Sequence, residues 1–140
     1  RGTGSFDAYM DPWMLSADVL EPDGFRTGDE GFFDKDGDLF LRGRRKNRIN
    51  MAGMKFFAEE VEGVINAHPA IKESRVYGKA HAHLGEIPMA EVVLENPETS
   101  PTASELSQFC KQGLAPHKVP FSFDVIAELA HTPTGKIKRW

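Results

Sequence analysis

The chain has 140 residues, 40% apolar and 27% charged, with a net charge of −4, which suits a globular chain with one core, or a domain plus a strip of another. That balance excludes a chain-wide basic surface for nucleic acid or membrane lipid, so any anion site must be local. Cys110 is the single cysteine, which rules out an intrachain disulfide framework and makes a reducing, cytoplasmic setting the expectation.

No apolar run approaches the ~20 residues of a bilayer span, and the opening "RGTGSFDAYMDPW" has no apolar core of a signal peptide. Starting in mid-loop and without methionine, the chain reads as cut from a longer one. In chain order, "PWMLSADVLEPDG" carries Leu15 and Val19 at helical spacing between a proline and a Pro-Asp-Gly turn, which predicts a short helix. A hairpin is expected in "GFFDKDGDLFLRG", where apolar residues flank Asp36-Gly37, a dipeptide that takes positive φ readily and closes a tight turn.

The texture changes near residue 46, and two pieces are expected, 1–45 and 46–140. In the second, "AEEVEGVINAHP" sets Ala58, Val61, Val64, Ile65 and His68 on one face and then meets a proline, which predicts about three helical turns. Strands follow in "KESRVYGKA" and "EIPMAEVVLE", where Pro88 implies an edge or the start of its strand. "TASELSQFCKQGLAPHKVP" opens with Thr102 and Glu105 at capping-box spacing and repeats Leu106, Phe109 and Cys110 at helical intervals. "FSFDVIAEL" alternates Phe121, Phe123 and Val125 as a last strand. The fold class is α+β, a small domain with a short β-sheet covered by helices, preceded by a β-hairpin strip.

Four stretches carry candidate chemistry. In "RTGDEG", Asp29 is either the acid of a structural turn or a carboxylate with enough lone pairs to take both hydroxyls of a ribose. The basic run of Arg42, Arg44, Arg45, Lys46 and Arg48 is either a solvated face or an anion site; it lacks aromatic interleaving, so a small polyanion fits better than nucleic acid. Gly53 in "MAGMK" offers bare backbone to a thin ligand. In "HTPTGKIKRW", Lys136 follows a turn signal and is either part of a frayed basic tail or a point charge projected from a loop toward phosphate or carboxylate oxygens. His68, His81 and His83 have neither a cysteine partner nor helical His spacing, so metal is not expected. Cys110 reads as core rather than nucleophile, and neither a Ser-His-Asp set nor a phosphate-cradling Gly-Lys loop is present.

Taken in order, Thr-Gly-Asp, Gly-Arg-x-Lys, a glycine-bearing hairpin into "EEVE", and Pro-Thr-Gly-Lys resemble the C-terminal end of the adenylate-forming enzymes: acyl-CoA synthetases, adenylation domains of peptide synthetases and luciferases. The phrases "HPAIKESRVYG", "GEIPMAEVVL" and "LAPHKVPFSFDVIAEL" extend the resemblance over nearly the whole chain. It implies that residues 1–45 are the last strip of a large ATP-binding N-terminal domain and 46–140 a lid that rotates between two half-reactions. An acid first attacks ATP, with magnesium held mainly by the large domain, giving an acyl-adenylate and pyrophosphate; CoA then captures the acyl group as a thioester. By position, the resemblance implies that Asp29 binds the ribose, Arg44 contacts the nucleotide, Lys46 is the hinge, Gly53 lines the pantetheine channel, and Lys136 is the catalytic lysine of adenylation. Asn50 and Ala58 stand where relatives have lysine and proline.

His117 and Lys118 are candidates for the CoA phosphates. A carboxylic acid, ATP and CoA are the expected substrates, the large domain the expected packing partner, and fatty acid metabolism the expected setting. The terminal loop, only four residues from the end of the sequence, is expected to lack an anchor. Two alternatives remain: an adenylation domain that loads a carrier protein, and a stand-alone α+β interaction module docking through "GRRKNR".

Overall fold

A computed structural model of the chain describes residues 27–139 and, before them, four short strands. β1 (Ala8–Met10) pairs antiparallel with β2 (Trp13–Leu15), and β3 (Leu20–Glu21) with β4 (Gly24–Phe25). The helix expected in "PWMLSADVLEPDG" is corrected where it is described: Trp13–Leu15 and Leu20–Glu21 are extended, and residues 16–19 lie outside the described residues. One i,i+4 pair between two prolines bounds too few residues to hold a helix on propensity alone.

β5 (Asp29–Phe33) and β6 (Leu39–Arg44) form the expected hairpin. Its turn sits one residue earlier than the Asp36-Gly37 signal implies. Asp34 Oδ1 accepts from the amides of Asp36 and Asp38, both at 2.9 Å, and the Gly37 amide donates to the Asp34 carbonyl at 3.2 Å. The turn is thus centred on Lys35-Asp36, and Gly37, at φ +89°, exits it. Phe32 and Phe40 stack at 5.4 Å on this hairpin, while Phe33 and Leu41 are 71% and 70% exposed.

A 3₁₀ turn, Arg45–Asn47, leads into the main sheet. Its strands are β7 (Arg48–Met51), β8 (Met54–Phe57), β9 (Ile71–His81), β10 (Gly85–Leu94) and β11 (Phe123–Val125). β10 is the hub: it runs antiparallel to β9 along its length, parallel to β11 at residues 90–92, and meets β7 at Gly85. Pro88 therefore sits inside a central strand, not on an edge. Its carbonyl accepts from the Phe121 amide at 2.8 Å, so its nitrogen also faces away from β9, and the missing N–H interrupts no β9 bond. The last strand is shorter than "FSFDVIAEL" implies, because only residues 123–125 pair with β10.

α1 (Ala58–Ile65) and α2 (Ala103–Gly113) pack against each other over the sheet. α1 opens with Glu59 and Glu60, acids suited to a helix N-terminus. It is shorter than three turns: Asn66 caps it, and His68 lies beyond it, with Nδ1 accepting from the Ala70 amide and its ring edge-on to Phe109. α2 has the predicted capping box: the Glu105 amide donates to Thr102 Oγ1, and the Thr102 amide to the Glu105 carboxylate. The Thr102 amide and hydroxyl hold the Glu105 carboxyl below its usual range. Val61, Ile65, Val76, Ala90, Val92, Leu106 and Cys110 form the core between helices and sheet. Burial pushes the Cys110 thiol up to about 11, as suits a core residue rather than a nucleophile. Among the described residues no helix is long and apolar enough to cross a membrane.

The β7–β8 turn is Ala52-Gly53, with φ +50° and +86°, a primed two-residue hairpin turn. A Cβ on Gly53 would meet open space, so this glycine answers to backbone conformation alone. Ala52 carries the cost of the left-handed region without a glycine's freedom. Ala52→Gly is expected to stabilise the domain by roughly 0.5–1 kcal/mol, and Gly53→Ala to destabilise it by a similar amount, both read from urea midpoints at unchanged m-value.

Candidate functional site

Lys136 does not stand on a frayed tail. In the turn that precedes it, the Gly135 amide donates to the Thr132 carbonyl at 2.9 Å, and Gly135 takes φ +78°. Thr132 then closes a loop on Lys136 from both sides: its amide donates to the Lys136 carbonyl at 2.7 Å, and its Oγ1 accepts from the Lys136 amide at 3.1 Å. Below the loop, His131 bridges Ile137, and the Lys138 amide donates to the Ala130 carbonyl at 2.7 Å. The run read as "PTGK" is thus the tip of a small hairpin that presents an exposed lysine.

The expectation that this loop lacks an anchor is corrected by Arg139. Its guanidinium crosses to α1 and grips Glu62 with both prongs, Nη1 to Oε1 at 2.8 Å and Nη2 to Oε2 at 2.6 Å, with Glu59 at 3.7 Å. Glu62 is itself buried and also accepts from the Val76 amide of β9 at 2.7 Å. Burial works against the charge on Arg139, but the hydrogen bonds and charge of Glu62, with that of Glu59, outweigh it and hold the guanidinium protonated more firmly than usual. Two further contacts fasten the hairpin to β9: His131 Nε2 lies 2.9 Å from Glu73, and Arg75 donates to the Lys138 carbonyl at 2.8 Å. Sequence reading missed Arg139 and Glu62. A signal existed, since Glu62 is a carboxylate on the apolar face of α1 between Val61 and Ile65, and a buried acid requires a partner.

An open cleft runs between this hairpin and the end of β6, lined by Arg44 on one side and by Lys136, Lys138 and Arg139 on the other. Two residues named from separate motifs, Arg44 and Lys136, thus share one basic cleft. Asp29 pairs with Arg44 across the β5–β6 hairpin, Oδ1 to Nε at 3.2 Å. Beside them the buried Asn47 side chain donates through Nδ2 to the partly buried Glu59 carboxylate. The rest of the basic run is divided: Arg42 lies 4.8 Å over the Phe32 ring, Arg48 pairs with Glu30 at 3.2 Å, and Lys46 is exposed on the 3₁₀ turn. Gly53, His117 and Lys118 are not part of this cleft. Lys118 pairs with Glu60 in a second cleft with Arg42 and Lys55, and the His117 ring sits edge-on to Phe56 at 5.7 Å.

Comparison with known proteins matches residues 60–136 to a family described as the AMP-binding enzyme C-terminal domain. A 2-succinylbenzoate--CoA ligase of Bacillus licheniformis is 33% identical over 99% of this chain and 28% of its own length. An oxalate--CoA ligase of Saccharomyces cerevisiae is 40% identical over 82% of this chain and 21% of its own. The Bacillus subtilis o-succinylbenzoate CoA synthetase, solved with the acyl-adenylate intermediate OSB-AMP, superposes with a TM-score of 0.80 at 33% identity, covering 86% of this chain and 24% of that one. The chain thus spans about a quarter of the length of the relatives it matches.

Removing Glu62 would strand a guanidinium and a strand amide inside the domain. Glu62→Ala is expected to cost on the order of 3 kcal/mol, measured by urea denaturation, whereas Glu60→Ala, which removes only a partly exposed partner of Lys118, should stay within about 1 kcal/mol.

Proposed function

The chain belongs to the AMP-binding enzyme C-terminal domain family, and from that premise we propose that it is the lid-bearing end of an ATP-dependent acid–thiol ligase. Its full-length protein would convert a carboxylic acid and ATP to an acyl-adenylate and pyrophosphate, then pass the acyl group to the CoA thiol as a thioester with release of AMP. The observation that carries this reading is the meeting of Arg44 and Lys136 in one basic cleft. Cations on opposite walls suit a polyphosphate, and charge that accumulates on phosphorus and its oxygens during acyl attack is what a presented ammonium stabilises.

In this reading Lys136 bridges the carboxylate and the α-phosphate. Arg44 contacts the nucleotide, and its pairing with Asp29 orients that carboxylate toward the ribose hydroxyls. Gly53 lines the pantetheine path, at a turn tip where a side chain is disfavoured by backbone angle. His117 and Lys118 meet the CoA phosphates, Lys118 exchanging Glu60 for the anion. Magnesium accompanies ATP and falls to the rest of the protein; among the described residues no three His, Cys, Asp or Glu side chains converge.

Residues 1–45 are read as the closing strip of the large domain and 46–140 as the lid, with Lys46 as the hinge. The exposed apolar face of the β5–β6 hairpin, Phe33 and Leu41 foremost, is read as the surface on which the rest of the large domain packs. A cytoplasmic location suits substrates such as ATP and CoA. No acid is assigned: those in the relatives' names, 2-succinylbenzoate and oxalate, differ in size and aromaticity and do not point to fatty acids.

In the full-length enzyme, Lys136→Ala should lower pyrophosphate exchange 10²-fold or more, about 3 kcal/mol of lost electrostatic stabilisation, while CoA captures a supplied acyl-adenylate at close to the parent rate. Equal losses in both steps would make Lys136 structural, and transfer to a carrier protein in place of CoA would redirect the acceptor. Lys46→Pro tests the hinge. Proline fixes φ and restricts the residue before it, so one lid orientation should be trapped, with one half-reaction kept and the other slowed, whereas Lys46→Ala should be mild. A parallel fall of both half-reactions with a lower melting temperature would remove Lys46 from that role.

A further inference from the structure

We propose that Arg139 is a positioning residue for Lys136, holding the catalytic hairpin against α1 through its two-pronged grip on Glu62; the inference rests on the reading that Lys136 acts in adenylation. Among the described residues, three side chains, His131, Arg75 and Arg139, make the polar ties between the hairpin stem and the body of the domain. The His131–Glu73 pair is partly exposed on both sides, with side-chain exposures of 38% and 22%, and such pairs hold little against solvent. The Arg75 guanidinium reaches only a backbone carbonyl, that of Lys138, and is already committed to Glu91 at 2.8 Å. Arg139 differs in kind: it is mostly buried, it meets both oxygens of one carboxylate, and that carboxylate is fixed a second time by the Val76 amide. A planar fork on a fixed carboxylate restrains direction as well as distance, which a single hydrogen bond does not.

The restraint falls where it matters. Arg139 follows Lys136 by three residues, on the strand of the hairpin whose Ile137 and Lys138 carry the stem pairings to His131 and Ala130. Releasing its guanidinium leaves the turn around Thr132 intact but frees the stem to swing away from α1 and from the cleft shared with Arg44. Lys136 would then be correctly folded and incorrectly placed, and displacement by about an ångström is enough to cost a reaction two orders of magnitude.

The experiment measures both half-reactions in the full-length enzyme for Arg139→Gln, Arg139→Lys, Lys136→Ala and the double variant Lys136→Ala/Arg139→Gln. Arg139→Gln should slow pyrophosphate exchange at least about tenfold in kcat, with KM for ATP and acid nearly unchanged, and leave capture of a supplied acyl-adenylate by CoA within about twofold. Arg139→Lys, keeping the charge but not the fork, should fall between parent and Gln variant. The double variant should be no slower than Lys136→Ala alone, because a misplaced lysine cannot be lost twice. Losses that multiply in the double variant, a parallel fall of both half-reactions, or an Arg139→Gln enzyme that exchanges pyrophosphate at the parent rate would each overturn the proposal. Should Arg139→Gln fail to fold, the Lys variant carries the test, and parent-rate exchange there with a Lys136→Ala enzyme that is impaired overturns it equally. A Lys136→Ala enzyme with full pyrophosphate exchange would instead bring down the reading of Lys136 itself, without reference to Arg139.

Discussion

The fork between Arg139 and Glu62 ties the terminal hairpin of the chain to helix α1. Among the described residues, the other polar ties of the hairpin that carries Lys136, His131 to Glu73 and Arg75 to the Lys138 carbonyl, are partly exposed. Burying an acid inside α1 is costly unless its oxygens are filled, and here three donors fill them: two from Arg139 and one from the Val76 amide of β9. The same carboxylate therefore joins helix, sheet and terminal hairpin. The loop that presents Lys136 is tied to the core by this route.

A second constraint operates at the junction around the 3₁₀ turn Arg45–Asn47. Specific contacts cross it. Arg48 reaches back to Glu30, the Asn47 amide meets Glu59, and Gly43 lies so close to α1 that an added Cβ would come within 2.9 Å of the Glu59 carboxylate and the Phe57 ring. A side chain at Gly43 would force the Glu59 carboxylate and the Phe57 ring to give way. Polar and apolar groups thus meet at this turn, with the Glu59 carboxylate and the buried Phe57 ring both against Gly43.

Electrostatics is local throughout. The chain is acidic overall, yet Arg44, Lys136, Lys138 and Arg139 gather on one cleft while Glu59 and Glu62 neutralise its inner wall. Arg139 is spent on structure and Arg44 is shared with Asp29, whereas no hydrogen bond or ion pair is formed by the Lys136 ammonium among the described residues. A free, exposed point charge beside fixed ones is the arrangement that can engage an arriving anion without first breaking a bond.

Local rules in the sequence determined much of this. The capping box at Thr102 and Glu105, the β5–β6 hairpin, the existence of strands β9 and β10, the buried Cys110 and the turn before Lys136 all follow from interactions between residues close in the chain, or from simple local pattern. The same rules failed where tertiary pairing prevailed: Trp13–Leu15 is extended despite a helical spacing, α1 stops before His68, and Pro88 sits in a central strand because its missing N–H faces away from β9. The order of motifs identified Arg44 and Lys136 as candidates, but only the folded chain puts them in one cleft, and only the folded chain gives Glu62 its partner. Glu62 and Arg139 are far apart in sequence, and nothing in the spacing of either specifies the other; their pairing arises because α1, β9 and the terminal hairpin converge, and a buried charge accepts no other solution.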